Sequence, residues 1–144
     1  FPAINWLVSY SLYLDKITPS GLAFKITQLD SEVMYEGQMV HYRIRVLPFL
    51  WQTWVTEITR VREGELFVDE QRVGPYRLWH HEHRFEIKGD GTLVSDKVTY
   101  AVPFGRLAHR LGVRRDVEAI FAHRTRRLRE IFGADRRHRY NLPG

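Results

Sequence analysis

Residues Arg77–Phe85, RLWHHEHRF, place three histidines, a carboxylate and a tryptophan within nine positions. Imidazole changes charge near neutral pH, so such a cluster can hold a metal, move protons or close a buried polar network. Which of these applies depends on which side chains share a face. The stretch alternates as a strand does, and successive side chains of a strand point to opposite faces. Trp79, His81, His83, Phe85 and Ile87 therefore share one face, and Leu78, His80, Glu82, Arg84 and Glu86 the other. The second set is mostly charged and is expected in water. The first set carries the large apolar groups and is expected inside, so His81 and His83 are the candidates and His80 is not.

Two imidazoles at i and i+2 on a strand can bind one ion if a third ligand joins them. Asp96, which alternates with Val94, Val98 and Tyr100, could join from the next strand, and Asp69 or Gln71 from the strand before, on the face of Phe67. The spacing is not HExxH, and a strand would split that motif in any case. The plainer expectation is a satisfied polar network without metal, because buried imidazoles need partners and neighbouring carboxylates supply them. A ligand-binding or acid–base role is the other alternative. Arg124 belongs to the same question. It falls on the apolar stripe Val117, Ile120, Phe121, Leu128 and Ile131, where a guanidinium must find a carboxylate or an anionic ligand, Asp69 and Asp96 being the candidates. The alternative is an arginine that snorkels to a rim. Arg126, Arg127 and Arg129 face solvent in this register. Ser9, Ser11, Ser20, Ser31 and Ser95 have no nucleophile elbow around them, and no phosphate-binding glycine loop occurs, so no cofactor is expected.

The elements that must position these groups follow from hydrophobic period and breakers. INWLVSYSLYL (4–14) suggests one or two short helices before the breakers Pro19 and Gly21. Two-residue alternation then predicts six strands: 22–29, 37–47, 51–62, 65–72, 76–87 and 92–102, with turn signals between. Such spacing indicates an antiparallel meander. Phe104 to Leu111 can make a helical turn or two. From Val113 the period is helical, and Gly133 is a natural cap. A one-faced sheet and an amphipathic helix must bury their apolar faces against each other, and a sheet curved around the helix would leave a pocket between.

Composition narrows the class. The chain has 144 residues, 44% hydrophobic and 13% aromatic, which suits one globular domain. It contains no cysteine, which excludes disulfides, thiolate nucleophiles and Cys-based zinc sites and is compatible with a cytoplasmic protein. No apolar run reaches the roughly 20 residues of a membrane helix. The chain starts at Phe1, which suggests a start trimmed from a longer protein. The net charge of +5 resides in the last third: residues 101–144 hold 11 arginines against 4 acids, while residues 1–100 hold 11 Lys/Arg against 13 acids. Without a nucleic-acid motif beside it, this charge reads first as a solvated helix face and a polar tail, and no nucleic-acid partner is expected.

The order of elements, with FVDEQRVGPYRLWHHEHRF, SDKVTYAVPFG and IFAHRTRRLREIFG, and ITPSGLAF ahead of them, resembles the START-like helix-grip superfamily (SRPBCC), within it the bacterial polyketide cyclase/dehydrase-like ligand-binding group. The resemblance spans about Ile4 to Phe132. It implies an α+β helix-grip fold, a curved antiparallel sheet wrapped around a long C-terminal helix, with the family's first strand missing or reduced to Phe1–Ala3. The elements read along the chain make one domain over 1–133, followed by a basic tail over 134–144. The family's D-E-Q, G-P, W-x-H-x-H-x-F and D-x-V-x-Y segments fall on Asp69-Glu70-Gln71, Gly74-Pro75, Trp79-His81-His83-Phe85 and Asp96-Val98-Tyr100, and its helix arginine on Arg124.

The first expectation is thus a module that binds a small hydrophobic molecule (lipid, isoprenoid or polyketide-like) without catalysis. Tyr42, Trp54, Gln71, Trp79, His81, His83, Phe85, Asp96, Tyr100, Phe121 and Arg124 are its expected contacts. One alternative is a cyclase or dehydratase with His81 or His83 as general acid–base. An open path from His81 or His83 to the pocket would favour it; ring nitrogens all tied to Asp69, Asp96 or backbone would weaken it. Another is a partner-binding protein that uses the basic C-terminal segment. An uncovered sheet edge would favour a homodimer.

Overall fold

The structure, a computed structural model, describes residues 24–47, 49–89, 91–104 and 112–132. The expected early helices, the helical turn before Leu111, the Gly133 cap and the basic tail lie outside them. The described elements are β1 (Phe24–Leu29), β2 (Met39–Leu47), β3 (Leu50–Arg62), β4 (Leu66–Val73), β5 (Leu78–Lys88), β6 (Gly91–Ala101) and the helix α1 (Val113–Phe132). The strands form one antiparallel sheet in the order β1-β2-β3-β4-β5-β6, so the fold is α+β, a six-stranded meander followed by a helix. Each predicted strand falls within a few residues of an observed one. Among the described residues no helix is long and apolar enough to cross a membrane.

Alternation puts Tyr42 on β2, Trp54 and Ile58 on β3, Phe67 and Asp69 on β4, Trp79, His81, His83 and Phe85 on β5 and Asp96 and Tyr100 on β6 on one inner face, and the register aligns them: Tyr42 faces Trp54, Ile58 faces Asp69, Phe67 faces His83, Trp79 faces Tyr100. β3 needs one correction to its period. Ile58 and Val61 are three apart, which in a regular strand would send them to opposite faces. The ladder shifts between Ile58 and Arg60, and this bulge absorbs the odd residue so that Val61 pairs with Phe67. Ile58, Phe67 and Met34 are buried together, with Val61 and Phe85 packed against them. Ile87, expected inside with Phe85, is instead 85% exposed. It sits at the end of β5, next to the hairpin into β6, past this core cluster.

α1 buries Val117, Phe121 and Arg124 toward the sheet, with Ile120, Leu128 and Ile131 half-buried beside them. Asp116 in its first turn and Arg129 in its last complement the helix dipole. Arg126 and Arg129 are exposed as expected, while Arg127 is half-buried and pairs with Glu130.

Candidate functional site

The centre of the inner face is a closed set of five ionisable side chains. Asp69 stands opposite His81 across β4–β5, and Asp96 stands opposite His83 across β5–β6. Because His81 and His83 are two residues apart on β5, each acid also reaches the other imidazole diagonally. Asp69 Oδ2 lies 2.6 Å from His83 Nε2 and 3.3 Å from His81 Nδ1. Asp96 Oδ1 lies 2.9 Å from His81 Nε2 and 3.1 Å from His83 Nδ1. Arg124 closes the set from α1, its terminal nitrogen 3.1 Å from His83 Nδ1 and 3.3 Å from Asp96 Oδ1. The side chains of Arg124, His81 and His83 are buried, His83 completely. Apolar walls hold the rings: Phe67 stacks on His83 at 3.9 Å between centroids, and Phe121 meets His81 edge-on at 5.2 Å.

The bonding partners assign the protons. His81 has a carboxylate at each ring nitrogen, so both nitrogens donate and the ring is an imidazolium. Burial alone would push its pKa down, but Asp69 and Asp96 outweigh burial and raise it. His83 also has a carboxylate near each nitrogen, but at Nδ1 the Arg124 guanidinium stands beside Asp96. Nδ1 accepts that N–H while Nε2 donates to Asp69, which favours the neutral ring. Burial, the His81 charge and Arg124 lower its pKa against the pull of the two acids. Burial opposes ionisation of both carboxyls, yet the histidines hold Asp69 well below the usual carboxylate range and Arg124 with the histidines does the same for Asp96. Two carboxylates, one imidazolium and one guanidinium sum to zero. A buried set of charges is tolerable in that condition and costly in any other.

His80, the third histidine of the opening stretch, points the other way and bonds Glu70 through Nδ1 at 2.7 Å. Asp69, His81 and His83 each bring one possible ligand atom within 4.8 Å of the others, a set that could hold a metal ion. That position is already spanned by the Asp69–His83 hydrogen bond, and the charges balance there without a cation.

Beside the charged set lies a group of half-buried aromatic rings. Trp79 touches Trp54 at 5.4 Å, Tyr76 at 4.8 Å and Tyr100 at 6.3 Å between centroids, and its other neighbour is the His81 ring at 6.3 Å. Trp54 donates from Nε1 to Thr56 Oγ1 at 2.9 Å. Tyr42, opposite Trp54, has its hydroxyl pKa raised by burial and by the Asp69 charge. Tyr76 was not among the expected contacts, because the sequence reads it as the first residue of a strand. It lies instead in the β4–β5 loop, and burial raises its hydroxyl to about 12. Gln71 puts it there: its amide donates to the Tyr76 carbonyl at 2.6 Å and accepts the Tyr76 N–H at 3.2 Å. The Gln71 side chain is therefore a clamp for the loop. Gly74 leaves the room for it, since a Cβ there would overlap Gln71 Oε1. The signal for Tyr76 was present in the sequence as an aromatic directly after the Gly74-Pro75 turn.

The structure thus brings His81, His83, Asp96, Arg124 and Phe121 into one contact set, and Trp54, Trp79 and Tyr100 into a second that abuts it. Phe85 sits apart with the apolar core, 6.1 Å from Phe67. Residues 23–132 match a family described as Domain of unknown function (DUF8410). Among solved structures, that of TTHA0849 from Thermus thermophilus is similar, with a TM-score of 0.59 at 17% sequence identity over 90% of each chain, a likeness of fold. No curated protein is significantly similar in sequence.

Proposed function

The chain therefore belongs to the DUF8410 family, and from the chemistry of its inner face we propose that it binds a small hydrophobic molecule with one polar end, between the sheet and α1, and performs no reaction on it. One observation carries the reading. All four ring nitrogens of His81 and His83 are engaged by Asp69, Asp96 or Arg124, so none is directed at a substrate. A general acid–base needs a nitrogen within hydrogen-bond reach of the proton it moves. The cyclase or dehydratase alternative would have to break this neutral set first.

What remains for a ligand is the aromatic wall of Trp54, Tyr76, Trp79 and Tyr100 for its apolar body, with Phe121 from the helix. The Tyr42 hydroxyl, opposite Trp54 on β2, suits its polar end. Pockets of this kind are mostly apolar with a few polar groups that fix orientation. A sheet curved around α1 in the helix-grip manner, as the START-like resemblance implies, would supply the enclosure. The fold shared with TTHA0849 supports a sheet-and-helix frame of this kind.

The test is native mass spectrometry of protein purified without detergent, followed by organic extraction of what leaves with it. A discrete lipid, isoprenoid or polyketide-like mass, lost on Trp79→Ala, supports the reading. Turnover of such a compound by the protein, abolished by His83→Gln, would replace it with the enzymatic one.

A further inference from the structure

We propose that the β2–β3 hairpin is a docking arm for an anionic lipid bilayer. The arm projects. β3 begins at Leu50, but its pairing with β4 begins only at the Val55–Val73 pair, so in the ladder residues 50–54 pair with β2 alone. Its tip is apolar and in water: Phe49 is 86% exposed, Leu50 50% and Trp51 40%. Three consecutive large apolar side chains at a hairpin tip are an aggregation hazard unless something covers them.

Charge identifies the cover. From Gln38 to Thr56 the chain has no acidic residue, and it carries Arg43 and Arg45. Arg45 faces Trp51 across the hairpin, and the guanidiniums of both arginines lie 5.9 Å from the Trp51 ring centroid. Arg43 stands two residues farther from the tip, about 7 Å at the rise of a strand. Running inward from the tip, the order is apolar, then tryptophan with the two arginine heads beside it. That is the order of depth in a bilayer surface, from hydrocarbon through the interface to the phosphates. A second copy of the chain is a poorer occupant, since a two-fold contact would set the same arginines against each other. Leu78 and Phe104 are exposed at this same end of the sheet, at the start of β5 and just past β6. Phe104 is held there by a backbone in the left-handed region, φ 65°. The aromatic wall of the inner face also lies toward this end, since Trp54 is near the start of β3 and Tyr100 near the end of β6.

The experiment is co-sedimentation of the whole chain with large vesicles of phosphatidylcholine alone, or of phosphatidylcholine and phosphatidylglycerol in equal parts. The arm predicts binding to the mixed vesicles, weakened by salt. Phe49→Ser, at a fully solvated position that leaves the fold intact, should lower the partition coefficient about tenfold. Arg43→Gln with Arg45→Gln should lower it about thirtyfold on the mixed vesicles and little on phosphatidylcholine. Protein that stays in the supernatant with mixed vesicles overturns the proposal, as does a Phe49→Ser variant that binds like the parent. Retention on soluble polyglutamate without vesicle binding would assign the arm to an acidic protein partner instead. The result does not depend on whether the interior holds a ligand, so it stands or falls apart from the reading above.

Discussion

Asp69 stands directly opposite His81 in the β4–β5 ladder, yet its shorter contact is the diagonal one, 2.6 Å to His83 against 3.3 Å to His81. Asp96 repeats the pattern from the other side: it stands opposite His83 and lies closer to His81. The twist of a sheet brings one diagonal pair nearer than ladder geometry alone suggests. The outcome is that the two acids and two imidazoles form a closed ring of contacts, and a charge change at one member is felt by all. Arg124 is the one member that comes from the helix, so the ring also ties α1 to the sheet.

Removing Arg124 should be strongly destabilising. Arg124→Met leaves Asp96 buried with less cationic charge than the two acids require, and breaking a buried pair in this way costs about 3–5 kcal/mol. Adding Asp96→Asn to that variant should recover part of the loss, because the stranded charge goes too. Urea unfolding of the two single variants and the double variant reads this directly. Equal and additive losses would show that the contact of Arg124 with Asp96 contributes little.

Gly74 is expected to act through a side chain three residues away. Gly74→Ala should push Gln71 off Tyr76 and cost about 1–2 kcal/mol, the scale of two lost hydrogen bonds. The near-ultraviolet circular dichroism of the Trp54–Tyr76–Trp79 group should change with it. Gln71→Ala should give the same spectrum. If Gly74→Ala leaves the aromatic signal unchanged, the clamp is not what places Tyr76.

Most of this site was legible because it lies on strands. Alternation sorted His81 and His83 from His80 and put Asp69 and Asp96 on the same face, and the helical period put Arg124 on the buried stripe of the helix. Alternation does not give register, so which acid pairs with which ring could not be read; pairing is a contact between segments distant in sequence. The bulge at Ile58–Arg60 was hidden for the same reason, being defined only against β4. Tyr76 was missed because a loop has no period, and the bond of Gln71 to the Tyr76 backbone was hidden because it is made within that loop. Ile87 followed the right face of β5 but lay past the core cluster, which periodicity does not mark.

Metal addition is expected to do little. Zn²⁺ at the Asp69–His81–His83 position would have to displace the His81 proton and the hydrogen bond from His83 Nε2, and the exchange would leave a net positive charge buried in a set that is already neutral. Thermal unfolding with equimolar Zn²⁺ should match that with chelator. Stoichiometric Co²⁺ binding with visible absorption, lost in His83→Gln, would show instead that the ring opens to take an ion.

Stability should peak near pH 6.5, the ordinary histidine value, and fall on both sides because the two inner histidines are shifted in opposite directions. The pKa of His83 is lowered in the folded protein. The unfolded chain therefore takes up a proton below about pH 6.5 that the native ring resists, and stability is lost as pH falls. The pKa of His81 is raised. Its contribution is full below about pH 6.5 and is lost as pH rises through the folded value. Asp69 and Asp96 are lowered, so their contributions are present above the ordinary carboxylate range and are lost as pH falls beneath it. The acid limb should accordingly have two stages, a first from His83 and a second, below about pH 4, from the acids. His83→Gln should remove the first stage and keep the second, because glutamine cannot take the proton. Urea midpoints measured from pH 2 to 9 on the parent and this variant decide the matter. A parent whose stability is flat from pH 5 to 8 would mean that the two rings share the proton differently from the assignment made by their partners.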